Sequence, residues 1–201
     1  MKPFSDACEE NKQPILEVIS SYFSKSESIL EIGSGTGQHA VFFAQQLPQV
    51  HWYCSDQEFY HDGIKQWLVD YTGTNLSGPL KLDVNQASWP NKTWPEKNFD
   101  GIFSANTAHI MSWPEVESMF TGVGKHLKTG GYFCLYGPFN YDGQYSSESN
   151  QRFDQFLKAR DPLSGIRDLN DLKVLAAKCG LKLIKDHEMP VNNRTLVWQK
   201  S

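Results

Sequence analysis

Long apolar runs are missing from this chain of 201 residues, although 39% of it is hydrophobic. No stretch approaches the ~20 consecutive apolar residues that a membrane-spanning helix requires, so no membrane association is expected. The opening residues, Met1-Lys-Pro-Phe-Ser-Asp6, carry no apolar segment of the kind that directs export, and a cytoplasmic location is the expectation. Cysteine is sparse. Cys8, Cys54, Cys134 and Cys179 form no C-x-x-C pair, which argues against a disulfide framework and against a zinc site. The six histidines include no H-x-x-x-H spacing, so no metal is expected. Positive charge is in deficit, with 19 Lys and Arg against 23 Asp and Glu, and the lysines form no run. That removes any general attraction to nucleic acid. A small-molecule substrate, handled by a monomer or homodimer, is the remaining expectation.

What is present begins with Ser28 to Ala40. Ile29, Leu30 and Ile32 read as a buried strand, Gly33, Gly35 and Gly37 follow at a spacing of two, and an apolar helix pattern starts at once. Glycine lets a ligand approach the main chain, and a helix start offers unpaired N–H groups. A dinucleotide fingerprint would space its glycines G-x-G-x-x-G. Here the spacing differs, and the carboxylate of Glu31 would repel a diphosphate but suit a sulfonium or ammonium ligand. The run Glu31-Ile-Gly-Ser-Gly-Thr-Gly37 therefore resembles the first motif of the class I methyltransferases, which bind S-adenosylmethionine (SAM). The resemblance implies cofactor contacts at Glu31, Gly33, Ser34, Gly35 and Gly37.

Along the chain, Ile15, Val18, Ile19 and Tyr22 predict a helix behind Pro14, so residues 1–24 would form an N-terminal helix preceded by a lid or a frayed tail. Val50 to Cys54 reads as the second strand. Asp56 lies 19 residues beyond Gly37, where doubly wound sheets place a ribose-binding carboxylate, with Gln57 beside it; the alternative is a helix-capping Asp. Thr72 to Pro79 reads as a loop and Leu80 to Val84 as a third strand, where the resemblance assigns Asp83 and Val84 to adenine. Asn85 to Asn98 shows little periodicity. Phe99 to Ser104 is the fourth strand, Ser112-Trp-Pro-Glu115 matches a capping box, and Tyr132 to Tyr136 is the fifth strand.

Residues 138–167 form an insert on the expected substrate side, with a helix near Asn150 to Arg160. Asp168 then caps a last helix, and Leu181–Glu188 with Arg194–Gln199 make a terminal hairpin. The fold expected is a single α/β domain over 1–201, Rossmann-like, with a seven-stranded, mostly parallel sheet and a C-terminal antiparallel hairpin.

The candidate catalytic residues follow the fourth and fifth strands: His109 as a base near its ordinary pKa, Asn106 as an acceptor from an amine or a contact for the cofactor, and Tyr136 as a wall. A histidine that only hydrogen-bonds main chain is the alternative for His109. Phe139, Asn192 and Asn193 are candidate substrate contacts. Arg152, Arg160 and Arg167 would clamp an anionic acceptor, or else pair with Asp154, Asp161 and Asp168.

The segments Gly137-Pro-Phe-Asn-Tyr-Asp-Gly143, Ser149-Asn-Gln-Arg-Phe-Asp154, Gly165-Ile-Arg-Asp168 and Met189-Pro-Val-Asn-Asn193 resemble a small family that includes methyltransferase-like protein 26. The chain departs from it at Val191, where alanine is expected, and at Asn140-Tyr141, where a basic residue is common. The function expected is SAM-dependent methylation of a small molecule. A non-catalytic SAM-binding or scaffold protein is the alternative.

Overall fold

Strand β1 (Ser28–Ile32) is buried at all five positions, which is what a strand covered on both faces of a sheet requires. The computed structural model describes residues 2–86, 89 and 94–201. Around β1 lie β2 (His51–Asp56), β3 (Leu76–Lys81), β4 (Phe99–Ala105), β5 (Leu127–Gly137), β8 (Leu181–Glu188) and β9 (Arg194–Lys200), in the order β3-β2-β1-β4-β5-β9-β8. The first five run parallel, and β9 is antiparallel to both β5 and β8. The expected Rossmann-like sheet with its terminal hairpin is thus present. The chain leaves β1 toward β2 on one side and returns to β4 on the other. That reversal opens a crevice beyond the carboxyl ends of β1 and β4.

Alternation along the strands divides the core into two layers. On β5, Phe133 and Leu135 face α4 (Trp113–His126) and α6 (Leu169–Lys178), while Cys134 and Tyr136 belong to the layer under α1 (Asp6–Tyr22), α2 (Gln38–Gln46) and α3 (His61–Leu68). Trp52, Phe43 and Phe103 are fully buried in the second layer, and Phe120 and Trp198 in the first. Burying each such aromatic contributes about 1.5–3 kcal/mol. Ser112 and Glu115 form the expected capping box of α4, and Asp168 accepts from the Asn170 amide at the start of α6.

Several boundaries depart from expectation. Helix α1 starts at Asp6 rather than behind Pro14, because Ser5 caps it and Asp6 and Glu9 suit its first turn. Pro14 sits inside it, which leaves the Glu10 carbonyl without its helical donor. Strand β3 begins at Leu76, inside the expected loop; at a sheet edge, Gly78 and Pro79 cost no ladder partner on the open side. Strand β5 extends back to Leu127. The expected loop over Asn85–Asn98 falls partly outside the described residues. Within the insert, α5 (Glu148–Arg160) is capped by Ser147, and the short strands β6 (Phe139–Asn140) and β7 (Arg167–Asp168) pair to close its two ends. No described helix is long and apolar enough to cross a membrane.

Candidate functional site

A cavity of about 790 Å³ occupies the crevice at the switch point. Its floor is the glycine loop between β1 and α2. The Gly33 and Ser34 amides donate to the Ser55 carbonyl, each at 3.0 Å, and the Gly35 amide donates to Asp56 Oδ2 at 2.8 Å. Gly33 cannot carry a side chain, since a Cβ would stand 2.6 Å from Thr107 Cγ2 at a φ of +72°. Gly35, at a φ of +57°, has nothing within 4 Å of its Cβ position, so a ligand can lie directly on its backbone. Asp56 also accepts from the Gln57 amide at 2.8 Å, and burial raises its pKa. Each carboxylate oxygen keeps a further lone pair for a ligand hydroxyl.

Glu31 departs from its expected role. It is 2% exposed, accepts from Trp52 Nε1 at 2.9 Å, and does not line the cavity. Burial pushes its pKa up to about 7, partly offset by hydrogen bonds from Trp52 and Ser34. Ser34, three residues further on, does line the cavity.

The wall beyond β4 is the loop from Asn106 to Met111, and the insert holds it from behind. Four successive carbonyls accept from residues 164–167: Ala108 from Arg167 Nε at 2.9 Å, His109 from the Gly165 amide at 2.9 Å, Ile110 from Ser164 Oγ at 2.9 Å, and Met111 from Arg167 Nη2. The loop is therefore fixed although it has no regular structure of its own. Asn106 adopts a φ of +59° at its start, in the left-handed region that asparagine tolerates. His109 is 6% exposed, lines the cavity, and packs edge-on against Phe153 at 5.3 Å. Neither ring nitrogen has a hydrogen-bond partner among the described residues. Burial, with the Arg167 charge nearby, lowers its pKa to about 4. The imidazole is consequently neutral at neutral pH and free to accept from a ligand, which corrects the expectation of a base near its ordinary pKa.

The third wall comes from α1 and the β8–β9 connection. Asn11 lies on the buried stripe of α1 with Ile15 and Ile19, and its Oδ1 is 2.7 Å from His39 Nε2. Burial lowers the His39 pKa to about 4. Tyr136 faces the same space, its hydroxyl pKa raised by burial and lowered in part by hydrogen bonds from Asn193 and Asn11. Gln38 pins the N-terminal segment to the glycine loop: its Oε1 accepts from the Ser5 amide at 2.7 Å and from Thr36 Oγ1 at 3.0 Å, and its Nε2 donates to Glu9 at 2.7 Å.

Of the residues singled out in the sequence, Gly33, Ser34, Gly35, Asp56, Gln57, Val84, Asn106, His109, Tyr136 and Asn193 meet at this one cavity. Others lie elsewhere. Gly37 caps α2 beside Ile64, and Asp83 accepts from the Asn85 amide off the cavity. Phe139 is 1% exposed in the core under α4 and α6, leaving Pro138 at the cavity. Asn192 is exposed, and its carbonyl accepts from Asn150. None of the three arginines lines the cavity. Arg167 fastens the His109 loop, Arg152 stands 3.7 Å from Glu148, and Arg160 lies over the Phe156 ring. Nor do they pair as the alternative supposed, since Asp154 binds Lys158, while Asp161 and Asp168 accept from backbone amides. Asn11, Gln38, His39, Thr107 and Phe153 were not among the expected site residues. Asn11 alone carried a signal, as a polar residue four positions before Ile15 on an apolar stripe.

The chain belongs to the family described as "Protein of unknown function (DUF938)", whose model matches residues 2–200. A curated relative, the fatty-acid O-methyltransferase of Mycolicibacterium smegmatis, is 26% identical over 109 residues, covering 54% of this chain and 36% of that protein. An O-methyltransferase family protein from Burkholderia thailandensis has a similar structure, with a TM-score of 0.81 at 14% identity, covering 98% of this chain and 58% of that one. Human N-acetylserotonin methyltransferase, solved in complex with SAM, gives 0.78 at 13% identity over 98% and 53%. At such identities the likeness is one of fold. The chain spans only 53–58% of the length of these two solved structures.

Proposed function

With that family and fold as premise, we propose that the chain is a SAM-dependent methyltransferase acting on a small molecule. The observation that carries this reading is one cavity with an open glycine cradle at one end and, at the other, a buried histidine whose ring has no hydrogen-bond partner among the described residues. When bound, SAM supplies an electrophilic methyl group on a positively charged sulfur. The chain's own residues have simpler tasks. Gly35 admits the cofactor to the backbone, Asp56 accepts from its ribose hydroxyls, and Leu82 and Val84 give apolar contact for its base. Asn106 and Tyr136 border the space between cofactor and acceptor. His109 accepts the hydrogen of the nucleophile and aligns it, since such displacements depend mainly on holding the reacting atoms about 3 Å apart in line.

Two further readings join this one. The N-terminal residues 1–24 and the insert 138–167 act as walls that exclude water within a single domain, and the closer kinship is with the methyltransferase-like protein 26 group. An oxygen nucleophile is supported by the likeness to the fatty-acid O-methyltransferase of Mycolicibacterium smegmatis and to the O-methyltransferase family protein of Burkholderia thailandensis. Incubation with SAM and a metabolite extract, followed by mass spectrometry, tests the reading. Accumulation of S-adenosylhomocysteine with a new methylated product is expected, strongly reduced in His109→Gln. Binding of SAM with no turnover on any extract would favour the non-catalytic alternative.

A further inference from the structure

Pro14 stands well past the first turn of α1, whose 17 residues run through it without a break. A proline in a helix interior has no N–H to donate and crowds the carbonyl one turn earlier, so it weakens the helix that keeps it. The carbonyl deprived of its donor is that of Glu10. Among the described residues no side chain donates to it in compensation. A backbone carbonyl that has lost its partner needs another donor, from water or from a ligand.

The position of this carbonyl follows from the helix. Ala7, Glu10, Asn11 and Pro14 all line the cavity, at the i, i+3, i+4, i+7 spacing of one helix face. In an α-helix a carbonyl points along the axis toward the residue four further on, and here both residues on that line border the cavity. The Glu10 oxygen is therefore presented to it. Three ties hold this face against the glycine loop and α2: Asn11 Oδ1 lies 2.7 Å from His39 Nε2, the Ser5 amide donates to Gln38 Oε1 at 2.7 Å, and Gln38 Nε2 donates to Glu9 at 2.7 Å. The same bond to His39 occupies Asn11 Oδ1, which leaves the carbonyl as the acceptor on this stretch of the helix.

We infer that Pro14 keeps the Glu10 carbonyl free to accept a hydrogen bond from an ammonium group, the α-amino end of the cofactor's amino-acid chain. The inference rests on the proposed methyltransferase reading. It gives α1 a task expected of Glu31, which is bonded to Trp52 and does not line the cavity. A charged donor makes the stronger bond to a carbonyl, and an ammonium has three hydrogens, so one is spent here and two are left for other acceptors. Pro14 is thus a positioning residue that acts through Glu10. An N–H restored at position 14 would draw the carbonyl back into the helix.

Titration calorimetry of wild type and Pro14→Ala with S-adenosylhomocysteine, and with its analogue lacking the α-amino group, tests this. Wild type should prefer the aminated ligand by about tenfold or more, the scale of one charge-assisted hydrogen bond. In Pro14→Ala the preference should shrink several-fold through weaker binding of S-adenosylhomocysteine, with the analogue unchanged. The melting temperature should rise in the same variant, because the helix regains its bond. A proline with only a structural role would not couple a firmer helix to a loss confined to the aminated ligand. Pro14→Gly returns the N–H without the helix propensity of alanine and should narrow the preference equally, which separates the donor from helix stiffness. If wild type binds both ligands alike, or Pro14→Ala keeps the full preference, as it would if the Glu10 carboxylate held the ammonium, or weakens both ligands equally, the inference is overturned and the cofactor reading stands. If S-adenosylhomocysteine does not bind wild type, both fall.

Discussion

The Gly165 amide donates to the carbonyl of His109 at 2.9 Å, linking the insert to a cavity histidine whose ring nitrogens have no hydrogen-bond partner among the described residues. Arg167 reinforces the link through the carbonyls of Ala108 and Met111, so the histidine is aimed by a segment more than fifty residues away in sequence. Arg167→Ala should leave those carbonyls without their donors and destabilise by about 1–3 kcal/mol. Turnover should fall while S-adenosylhomocysteine affinity changes little. Arg167→Lys should rescue poorly, because an ammonium cannot span two carbonyls as a planar fork does. Full activity in both variants at temperatures where they remain folded would show that the insert does not position His109.

The pH dependence follows from buried histidines. His39 and His109 have folded pKa values lowered to about 4, below those of the unfolded chain, so the unfolded state binds more protons between that value and about 6.5. Stability should therefore drop as pH falls through this window, by roughly 3 kcal/mol per histidine when protonation is complete. Denaturant unfolding at pH 7 and pH 4.5 measures the loss, and His39→Gln should diminish it. The acid limb of the rate profile attributable to His109 should lie near pH 4 rather than 6.5. A limb at 6.5 would place that imidazole in contact with water.

Glu31 works in the opposite direction. Its pKa is raised to about 7 in the folded protein, so its contribution to stability declines as pH rises through the range from 4.5 to 7. Glu31→Gln keeps an oxygen for Trp52 Nε1 and removes the buried charge. The variant should gain stability relative to wild type at pH 8 and lose that advantage at pH 5. An equal effect at both values would contradict a protonatable Glu31.

Gln38 is 2% exposed and joins the N-terminal segment to the glycine loop by direct hydrogen bonds. Gln38→Ala should loosen the start of α1. Hydrogen exchange of amides in residues 6–12 should accelerate at least tenfold, with the β-strand amides unchanged. Unaltered exchange there would mean that Ile15 and Ile19 alone hold the helix.

The glycine loop, Asp56 and the terminal hairpin were legible in the sequence because each rests on a short-range pattern: glycine spacing, a strand followed by an acid, and alternating apolar residues. The third strand was expected at Leu80–Val84, but its start at Leu76 was not legible, since an edge position tolerates Gly78 and Pro79 that read as a turn. The role of Arg167 was equally hidden. Its partners are main-chain carbonyls of a distant loop, and a carbonyl has no sequence identity. Phe139 and Pro138 show the same limit from another side, since strand β6 turns one into the core and leaves the other at the cavity.

The central claim is that the Gly33–Gly37 loop and Asp56 hold SAM, and calorimetric titration of S-adenosylhomocysteine tests it most directly. Wild type should bind one equivalent. Asp56→Ala should weaken binding about 10- to 100-fold, the effect of losing a charge-assisted hydrogen bond of about 1.5–3 kcal/mol, and Gly35→Val should abolish it by filling the cradle. Binding of equal strength in wild type and in both folded variants, or no binding by the wild type, would contradict the account.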